Sequence, residues 1–444
     1  VRMYEAQGRI GARMFRLAHH FPDGQVVELG GELIDTSHVR LRALAAELGL
    51  PLDDLLEGDT DRDTWYFDGR AIGEEEIVRA FVPVAAAIER DLAAAGDGDY
   101  DYRDQNPGFR ELDSINIAQW FDRQGVDGWL RKLLDVAYTT EMGLECGEQS
   151  ALNLLTFIGT DADAFRVFGE SDERSHVRGG NDLVPKALAA RMDDAIETGH
   201  ALEAVRGEGG GFALAFRNGS ATREVRAQQV ILALPFTLLR KVRIGVDMPE
   251  PKRRAIAELG YGTNAKLMIG FDRRPWRDRD ANGASMSDLA FQTTWETSRK
   301  QAGAHGILTN FTGGRHGVEL GEGSAANQAA RAVADLERLF PGVAAARSGG
   351  REARMHWPTH PWTQGSYACF RPGQWSALRG AIGESVGGLH FAGEHCALET
   401  QGFMEGGCES GEIAASAVAA RLGLARVLRR PSRLRRNRNV YAAV

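Results

Sequence analysis

The chain has 444 residues, of which 43% are hydrophobic, and it carries a formal net charge of −8 at pH 7. This length and apolar content suffice for two domains with large cores, and the negative charge argues against general affinity for nucleic acid. No run of sequence approaches the roughly 20 apolar residues that a membrane-spanning helix requires. We therefore expect a water-soluble protein, located in the cytoplasm by default.

The first segment, residues 1–15, predicts a strand followed by a glycine turn. Glu5 ends the strand, where a carboxylate accepts hydrogen bonds from a ribose diol in nucleotide-binding βαβ units. Arg9 and Arg13 flank Gly11. Two guanidiniums beside a glycine turn neutralise a pyrophosphate through bidentate hydrogen bonds, so we predict that this segment binds a nucleotide.

Residues 26–35 read VVELGGELID and predict a strand that runs into the double glycine Gly30 and Gly31. Residues 35–37 offer side chains that cap a helix, which is predicted to run to residue 48 and to stop at the next glycine.

From about residue 75 to residue 160, apolar residues recur at intervals of three and four, which predicts a helical insert. Residues 96–108 form an acidic, turn-rich loop between its helices. We interpret the loop as a solvated connection; the alternative is an acidic funnel for cationic amines.

Glycine turn and helix return at residues 177–192, and residues 200–219 predict two strands joined by a glycine-rich hairpin. Residues 230–235 have the pattern of a buried strand. The stretch from about residue 251 to residue 372 contains three strand-like runs, at residues 265–271, 289–296 and 306–312.

Near the C-terminus, a short apolar strand leads into a glycine turn with an acid, and a helix of small residues follows at residues 402–422. The glycines at its start let a ligand approach the amides at the positive end of the helix. Phe403 and Met404 stand beside them, which favours a flat ring system such as a flavin over a bare phosphate. His395 adjoins this loop, and we expect it to pack rather than to catalyse.

Two further features of the sequence carry no chemistry in our interpretation. The arginine-rich residues 426–444 predict a disordered basic tail; the alternative is a site for an anionic membrane or partner. The four cysteines show no CxxC spacing and no paired histidines, so we predict no metal site.

Taken in chain order, the segments EAQGRIGAR, ELGGE, RGGNDLV, VILALP, the Lys266 strand, GSYACFRPGQW, AGEH and GFMEGG resemble the flavin-containing amine oxidase family. That family includes the monoamine and polyamine oxidases and their L-amino acid oxidase relatives. Its members begin with a strand and a GxGxxG turn about thirty residues before the acid, whereas Val1 falls inside the second strand. We therefore expect the chain to be an N-terminally truncated fragment. Ala12 stands where the family usually has glycine.

The resemblance implies an α/β fold with a discontinuous, Rossmann-like FAD-binding domain that lacks its first βα unit. We assign residues 1–70, 175–250 and 376–425 to that domain. Residues 71–174 and 251–375 would form an α+β substrate domain with a mixed sheet and the helical insert.

Three residues are the catalytic candidates: Lys266, Tyr367 and Phe403. A lysine in an apolar strand is costly unless it is paired, and the matching lysine of the family bonds a water that contacts flavin N5. The resemblance places Tyr367 and Phe403 as facing rings that steer the amine to the flavin. The alternatives are a lysine on the outer face of an edge strand and aromatic rings that pack in the core.

The resemblance also implies that FAD is bound noncovalently, because Ser366 occupies the position of the cysteine that binds the flavin of monoamine oxidases. The predicted cofactor-binding residues are Glu5, Arg9, Gly11, Arg13, Gly30, Gly31, Glu32, Val205, Trp357, Gly393, Glu394, Gly402, Phe403 and Met404.

Leu33 stands where L-amino acid oxidases have the arginine that grips the substrate carboxylate. This absence favours a primary or secondary amine as the substrate. The amine would be oxidised to an imine, with O2 as acceptor and H2O2 as product. Arg178 or Arg371 would have to supply a carboxylate clamp otherwise. Glu32 and Asp35 are candidates to meet the second ammonium of a diamine.

Other interpretations stay open at this point. They are an L-amino acid oxidase, a flavin enzyme of the same fold that resembles carotenoid desaturase or protoporphyrinogen oxidase, and a non-catalytic truncated flavoprotein. The family contains both monomers and homodimers.

Overall fold

The computed structural model describes residues 1–161 and 163–424, so the predicted basic tail at residues 426–444 lies outside the described part. The strands in this part are β1 (Met3–Tyr4), β2 (Arg16–Leu17), β3 (Val27–Glu28), β4 (Leu52–Asp54), β5 (Arg62–Phe67), β6 (Arg70–Ile72), β7 (Ser175–Val177), β8 (Ile196–Glu197), β9 (Ala201–Glu208), β10 (Gly211–Asn218), β11 (Ala221–Ala227), β12 (Val230–Leu232), β13 (Arg243–Gly245), β14 (Ala265–Phe271), β15 (Ala281–Ser287), β16 (Thr293–Glu296), β17 (Gly306–Thr312), β18 (Arg347–His356) and β19 (Leu389–Phe391).

The helices of the same part are α1 (Val39–Glu47), α2 (Glu74–Ala95), α3 (Pro107–Ser114), α4 (Ile117–Gln124), α5 (Gly128–Met142), α6 (Ala151–Leu155), α7 (Leu183–Ala190), α8 (Phe236–Leu239), α9 (Glu250–Glu258), α10 (Gly314–Glu319), α11 (Ala325–Leu339), α12 (Val343–Ala346), α13 (Trp375–Leu378) and α14 (Met404–Arg421). Among these helices, none combines the length and the apolar character needed to cross a membrane.

A seven-stranded mixed sheet with the order β18-β14-β17-β16-β15-β5-β6 dominates one part of the molecule. Its strands pair antiparallel except for β15 and β5, which run parallel. The predicted strands at 265–271 and 306–312 are confirmed as β14 and β17. All seven residues of β14 are buried, because β17 and β18 cover its edges while other elements cover its faces.

The remaining strands form smaller sheets that contain parallel pairs. β1 pairs with β8 and β12 pairs with β19, both in parallel. The predicted glycine hairpin is confirmed, since β9 and β10 pair antiparallel within a four-stranded sheet of order β11-β10-β9-β13. The α/β fold class is therefore confirmed. β19, the parallel partner of β12, is followed by the glycine turn at Gly393 and, further along the chain, by the glycine-rich start of α14.

The helical insert is also confirmed, because α2 to α6 pack around one apolar cluster. Its last long helix, α5, carries Thr140 and Glu141 near its C-terminal end. β5 and β6 at residues 62–72 belong to the seven-stranded sheet. The domain boundaries stay a prediction.

The predicted capping of α1 by residues 35–37 is wrong. The N-cap is His38, and its side chain makes no capping hydrogen bond. The buried carboxylate of Glu405 instead accepts hydrogen bonds from the amides of Arg40 and Leu41, at 3.0 and 2.8 Å. A carboxylate near a helix start satisfies free amides and opposes the positive end of the dipole, so α14 supplies the cap for α1 across the fold.

Candidate functional site

Lys266 lies near the start of β14 and is only 5% exposed. Its ammonium donates to the carbonyl oxygen of Gly30 at 2.8 Å and to Glu32 Oε2 at 2.8 Å, with the carbonyl of Glu28 at 3.4 Å. The same nitrogen lies 5.1 Å from the centroid of the Trp295 ring. The alternative of a solvent-facing lysine is therefore wrong, because the side chain points inward against the double-glycine segment.

The side-chain carboxylate of Glu32 has three hydrogen-bond partners. In addition to Lys266, its carboxylate accepts hydrogen bonds from Trp295 Nε1 at 2.9 Å and from Thr297 Oγ1 at 3.1 Å. A buried charge is tolerated when it is paired and hydrogen-bonded. The charge of Glu32 is already balanced by Lys266, and its contact with a second ammonium of the substrate stays a prediction.

The double glycine packs where larger residues would collide. A Cβ on Gly30 would lie 1.7 Å from the carbonyl oxygen of Arg13, and one on Gly31 would lie 2.8 Å from the side chain of Met404. Trp357 lies against Gly30 and donates from Nε1 to the carbonyl of Leu29 at 3.1 Å. The structure thus brings together Gly30, Gly31, Trp357, Met404 and Lys266, as the sequence predicted.

Asn181 completes this cluster and was not singled out from the sequence. Its side-chain amide donates to the carbonyls of Gly31 and Glu32, at 3.0 and 2.8 Å. Its position directly after the glycine pair of RGGNDLV was the available signal, since Asn at a turn often bonds the nearby backbone.

Glu394 connects the N-terminal segment to the start of α14. Its carboxylate accepts hydrogen bonds from Arg13 at 3.0 Å, from the amide of Ala368 at 3.2 Å and from the amide of Gly402 at 3.0 Å. Arg13 also donates to the carbonyl of Ser366 at 2.5 Å. Arg13 and Glu394 therefore meet each other, and their interaction holds three segments of the site together.

The glycine turn before Glu394 depends on its backbone conformation. Gly393 has φ of +130°, which side-chain-bearing residues rarely adopt. Its amide donates to Ser410 Oγ at 2.9 Å, and its carbonyl accepts from the same hydroxyl at 2.8 Å. Ser410, on α14, is a second residue that the sequence interpretation missed.

Tyr367 and Phe403 both lie beside Gly402, Tyr367 in space and Phe403 as the next residue in the chain. Tyr367 donates from its hydroxyl to the carbonyl of Glu141 at 2.5 Å, and a Cβ on Gly402 would lie 3.9 Å from its ring. Phe403 is the N-cap of α14, and its ring stacks on Phe157 with 6.4 Å between centroids. Aromatic side chains thus line the start of α14.

An acidic border, formed by Asp35, Glu141 and Glu173, lies next to these rings. Asp35 Oδ1 accepts a hydrogen bond from the amide of Glu173 at 2.9 Å, and Asp35 Oδ2 lies 3.3 Å from Nε2 of His38. The His38 ring packs against the Phe403 ring, with 5.0 Å between the ring centroids. Burial lowers the pKa of His38, so at neutral pH this imidazole does not offset the negative charge.

Two carboxyl groups of the acidic border, those of Glu141 and Glu173, have pKa values well above the ordinary range of a glutamate. Burial raises the pKa of Glu141 to about 8, and the charges of Glu173 and Asp35 add to the shift. Burial and the charge of Asp35 raise the pKa of Glu173 to about 7. Glu173 is exposed by its accessible surface, although many protein atoms surround its carboxyl group.

The predicted ribose and phosphate residues lie around the N-terminal turn. Glu5 accepts a hydrogen bond from the amide of Gln7 at 2.7 Å, and burial raises its pKa. Arg9 donates to the carbonyl of Ala12 at 2.8 Å and lies 3.8 Å over the Phe15 ring. Gly11 adopts φ of +95° in the turn itself.

Val205 lies inside the four-stranded sheet, fully buried, with Leu214 and Ile244 as its partners on the two sides. Its backbone is thus engaged in the sheet, and its contact with the cofactor stays a prediction. Ser366 donates from Oγ to Asn264 Oδ1 at 2.6 Å, and both residues are buried.

The donor set fits a flavin dinucleotide. The start of α14 offers the positive end of an 18-residue helix, and a Cβ on Gly407 or on Gly8 would meet no atom within 4 Å. Both ring nitrogens of His395 are buried without a hydrogen-bond partner, and burial lowers the pKa of this histidine to about 3. Buried polar atoms normally have a hydrogen-bond partner. The two free nitrogens of His395 therefore fit a site in which a bound group or water supplies that partner.

Comparison with known proteins gives one consistent picture. The family model described as flavin containing amine oxidoreductase matches residues 1–419. An L-amino acid dehydrogenase from Synechocystis sp. is 25% identical over 94% of this chain and 89% of its own length. A flavin-containing amine oxidase A from Equus caballus is 22% identical over 95% of this chain and 81% of its own length.

Two solved structures share the fold. Cyclohexylamine oxidase from Brevibacterium oxydans superposes with a TM-score of 0.82 at 21% identity, covering 95% of this chain and 94% of that one. Putrescine oxidase bound to putrescine superposes with a TM-score of 0.79 at 20% identity, covering 94% of this chain and 93% of that one. These matches confirm the resemblance and the fold that the ordered motifs predicted.

Proposed function

Because the chain belongs to the flavin-containing amine oxidoreductase family and is therefore an oxidoreductase that uses FAD, we propose that it oxidises a primary or secondary amine without an α-carboxylate to the imine. The chemistry that FAD would supply when bound is acceptance of the hydride from the carbon next to the nitrogen. The segments of Gly30, Glu394 and α14 would hold the cofactor. We propose noncovalent binding, since a serine, Ser366, occupies the position expected for an attached cysteine.

The observation that carries the proposal is the sign of the charges beside the aromatic rings. The carboxylates of Glu141, Glu394 and Glu173 all raise the pKa of the Tyr367 hydroxyl, after burial, which is the main cause. Glu173 and Glu141 gain negative charge as pH rises through about 7 and about 8, and a negative environment attracts an ammonium group and repels a carboxylate. This favours an amine over an amino acid as the substrate.

The two arginines proposed as alternative clamps are engaged elsewhere. Arg178 donates to Asp53 at 2.7 Å and Arg371 donates to Glu148 at 3.3 Å. Both guanidiniums are largely exposed. Neither supplies a buried, bidentate contact of the kind that recognises a substrate carboxylate.

The side chains of the site can divide the work of amine oxidation. The rings of Tyr367 and Phe403 would hold the substrate and disfavour its ammonium form through desolvation, which leaves the nitrogen lone pair free. Lys266 would keep a proton at Nζ within a water-poor interior, available when O2 is reduced to H2O2. The acidic border would attract the amine before it loses its proton.

The test compares matched substrates on the FAD-loaded chain. Phenethylamine and L-phenylalanine differ only in the carboxylate, and both H2O2 release and reduction of an artificial dye are measured. We expect kcat/KM for the amine to exceed that for the amino acid by about 100-fold, since a buried uncompensated charge costs several kcal/mol. Turnover of the amino acid alone would overturn the proposal, and turnover of neither would favour another flavin oxidoreductase.

A second candidate is oxidation of an L-amino acid. The similarity to the Synechocystis dehydrogenase over nearly the whole chain favours it. So does Arg299, whose mostly buried guanidinium opposes the rise in the pKa of Glu173. If this candidate is right, Arg299→Met abolishes amino acid turnover. Dye reduction without H2O2 release would identify an acceptor other than O2.

A further inference from the structure

We propose that Glu32 is a positioning residue for Lys266, fixing the ammonium against the double-glycine segment and balancing its charge. The proposal rests on the function proposed for Lys266. It goes beyond the cofactor contact predicted for Glu32, because it assigns the carboxylate to a neighbouring side chain.

The contacts of Lys266 leave its ammonium a single arrangement. An ammonium has three N–H donors on a flexible stem, and three acceptors surround this one: two backbone carbonyls and Glu32 Oε2. The carbonyls fix direction but carry no formal charge. Glu32 supplies the only formal charge among the three.

Residues of the seven-stranded sheet fix the position of Glu32. Trp295 on β16 and Thr297, two residues further on, both donate to Glu32 Oε1, and residues two apart lie on the same face of a strand. The hydroxyl of Thr297 also contacts that of Thr309 on β17, the strand between β16 and β14. Three adjacent strands therefore hold Glu32 and Lys266 in register.

A second acid near the lysine does not replace Glu32. Glu28 contributes its backbone carbonyl to Lys266, while its buried carboxyl accepts from the amide of Asn181 at 2.6 Å. Burial raises the pKa of Glu28 to about 8, so this carboxyl is mostly protonated at neutral pH. The counter-ion at neutral pH is thus Glu32.

The first test uses the flavin-free chain. The indole ¹⁵N–¹H resonance of Trp295, identified with Trp295→Phe, reports the hydrogen bond to Glu32. We expect Glu32→Gln to move this resonance, and Lys266→Met to move it too, because the cation lies 5.1 Å from the ring. A resonance that neither substitution moves would overturn the arrangement.

The second test is a double-mutant cycle on the FAD-loaded chain. We expect Glu32→Gln to slow flavin reoxidation by about 10-fold or more, with KM for the amine and Kd for FAD changed less than about 2-fold. In the Lys266→Met background the same substitution should change reoxidation by less than about 2-fold, because Glu32 acts through Lys266.

Glu296 provides the matched control. It follows Trp295 directly, is as buried as Glu32, and accepts hydrogen bonds from Trp276 and Arg277 at 2.7 and 2.9 Å. Glu296→Gln removes a buried carboxylate without touching Lys266, and we expect reoxidation to stay within about 2-fold of the wild type.

Two outcomes separate this proposal from the proposed function. Equal effects of Glu32→Gln and Glu296→Gln, or full additivity in the cycle, would overturn the positioning role. If Lys266→Met itself leaves reoxidation unchanged while the amine is turned over, the catalytic role of the lysine fails, and the Trp295 resonance alone decides on Glu32.

Discussion

Lys266 and Lys252 are both almost completely buried, at 5% and 2% exposure, yet their surroundings differ. Lys266 meets a carboxylate, whereas Lys252 on α9 donates to the carbonyl of Ile382 and lies 3.8 Å over the ring of Phe391. Without a carboxylate partner, burial lowers the pKa of Lys252 to about 7. Burial alone therefore does not mark a functional lysine; the partners decide its charge.

The comparison also explains why only one of the two was chosen from the sequence. Lys266 interrupts an apolar strand, where an unpaired charge is costly. Lys252 lies in the polar segment EPKRRAIAE, where a lysine normally faces solvent. Its burial arises because α9 packs against the segment around Ile382, which is 130 residues away in the chain.

The largest expected effect comes from removing each lysine in turn. We expect Lys266→Met to slow flavin reoxidation about 100-fold and to destabilise the fold by on the order of 3 kcal/mol, because Glu32 loses its counter-ion. Lys252→Met should leave reoxidation within about 2-fold, since it lies outside the site. Stopped-flow reoxidation and urea unfolding measure the two effects, and similar rates for both variants would break the comparison.

The pH dependence of stability sharpens the comparison next. The pKa of Lys252 falls from its ordinary 10.5 to about 7 on folding, so between these values the unfolded chain binds a proton that the folded chain does not. The free energy of unfolding therefore rises with pH between about 7 and 10.5. Below about pH 7 Lys252 is protonated in both states, and this stabilisation is lost. From pH 7 to pH 9 we expect a gain of about 2 kcal/mol from this residue.

Lys252→Met should remove that gain, which urea unfolding of the flavin-free variant and wild type at both pH values would reveal. A variant with the same pH dependence as the wild type would contradict the lowered pKa. Lys266→Met serves as the control for loss of a buried lysine.

Two buried carboxyl groups of the site can be compared in the same way. Glu32 has a cationic partner in Lys266, whereas Glu141 has no cationic partner among the hydrogen bonds and ion pairs of residues 1–161 and 163–424. Because the pKa values of Glu141 and Glu173 are about 8 and about 7, both gain charge as pH rises through this range. We expect KM for the amine to fall over the same interval. Glu141→Gln should raise KM about 5-fold at pH 8 and flatten this dependence.

Steady-state kinetics from pH 6 to pH 9 give the measurement, with the uncharged inhibitor benzyl alcohol as a probe whose Ki should stay constant. The titration of the amine itself is common to wild type and variant, so their ratio isolates the carboxyl group. An unchanged ratio across this range would show that Glu141 does not meet the substrate.

The smallest effect is expected from the Tyr367 hydroxyl. Tyr367→Phe keeps the ring but removes the hydrogen bond to the carbonyl of Glu141, worth about 1 kcal/mol. We expect kcat/KM to fall less than about 5-fold, whereas Tyr367→Leu, which removes the ring, should cost more. Equal losses in the two variants would mean that the hydroxyl, and not the ring, serves the reaction.

Much of the site could be predicted because its residues lie in short segments with a local signature. The apolar run of β14, the double glycine and the small-residue helix α14 each have their own pattern of hydrophobicity and turns. Such patterns reflect interactions within a few residues of the chain. They placed Lys266 and Phe403 on the correct elements.

The sequence did not reveal partners that lie far apart in the chain. Glu32 pairs with a lysine 234 residues away, while its contact with the cofactor stays a prediction. The cap of α1 was sought in residues 35–37, but Glu405 provides it across 364 and 365 residues. A glutamate in a sequence does not indicate which cation or backbone amide its carboxylate will contact in the folded protein.

The sequence by itself determined the family, part of the strands and helices, and the chemical types of the groups that reach the site. Only the tertiary structure decided which of these groups are neutralised and which keep unbalanced charge. The physical reason is that local conformation follows from neighbouring residues, whereas the free energy of a buried charge depends on every group packed around it. Those groups are brought together by sheet pairing and helix packing.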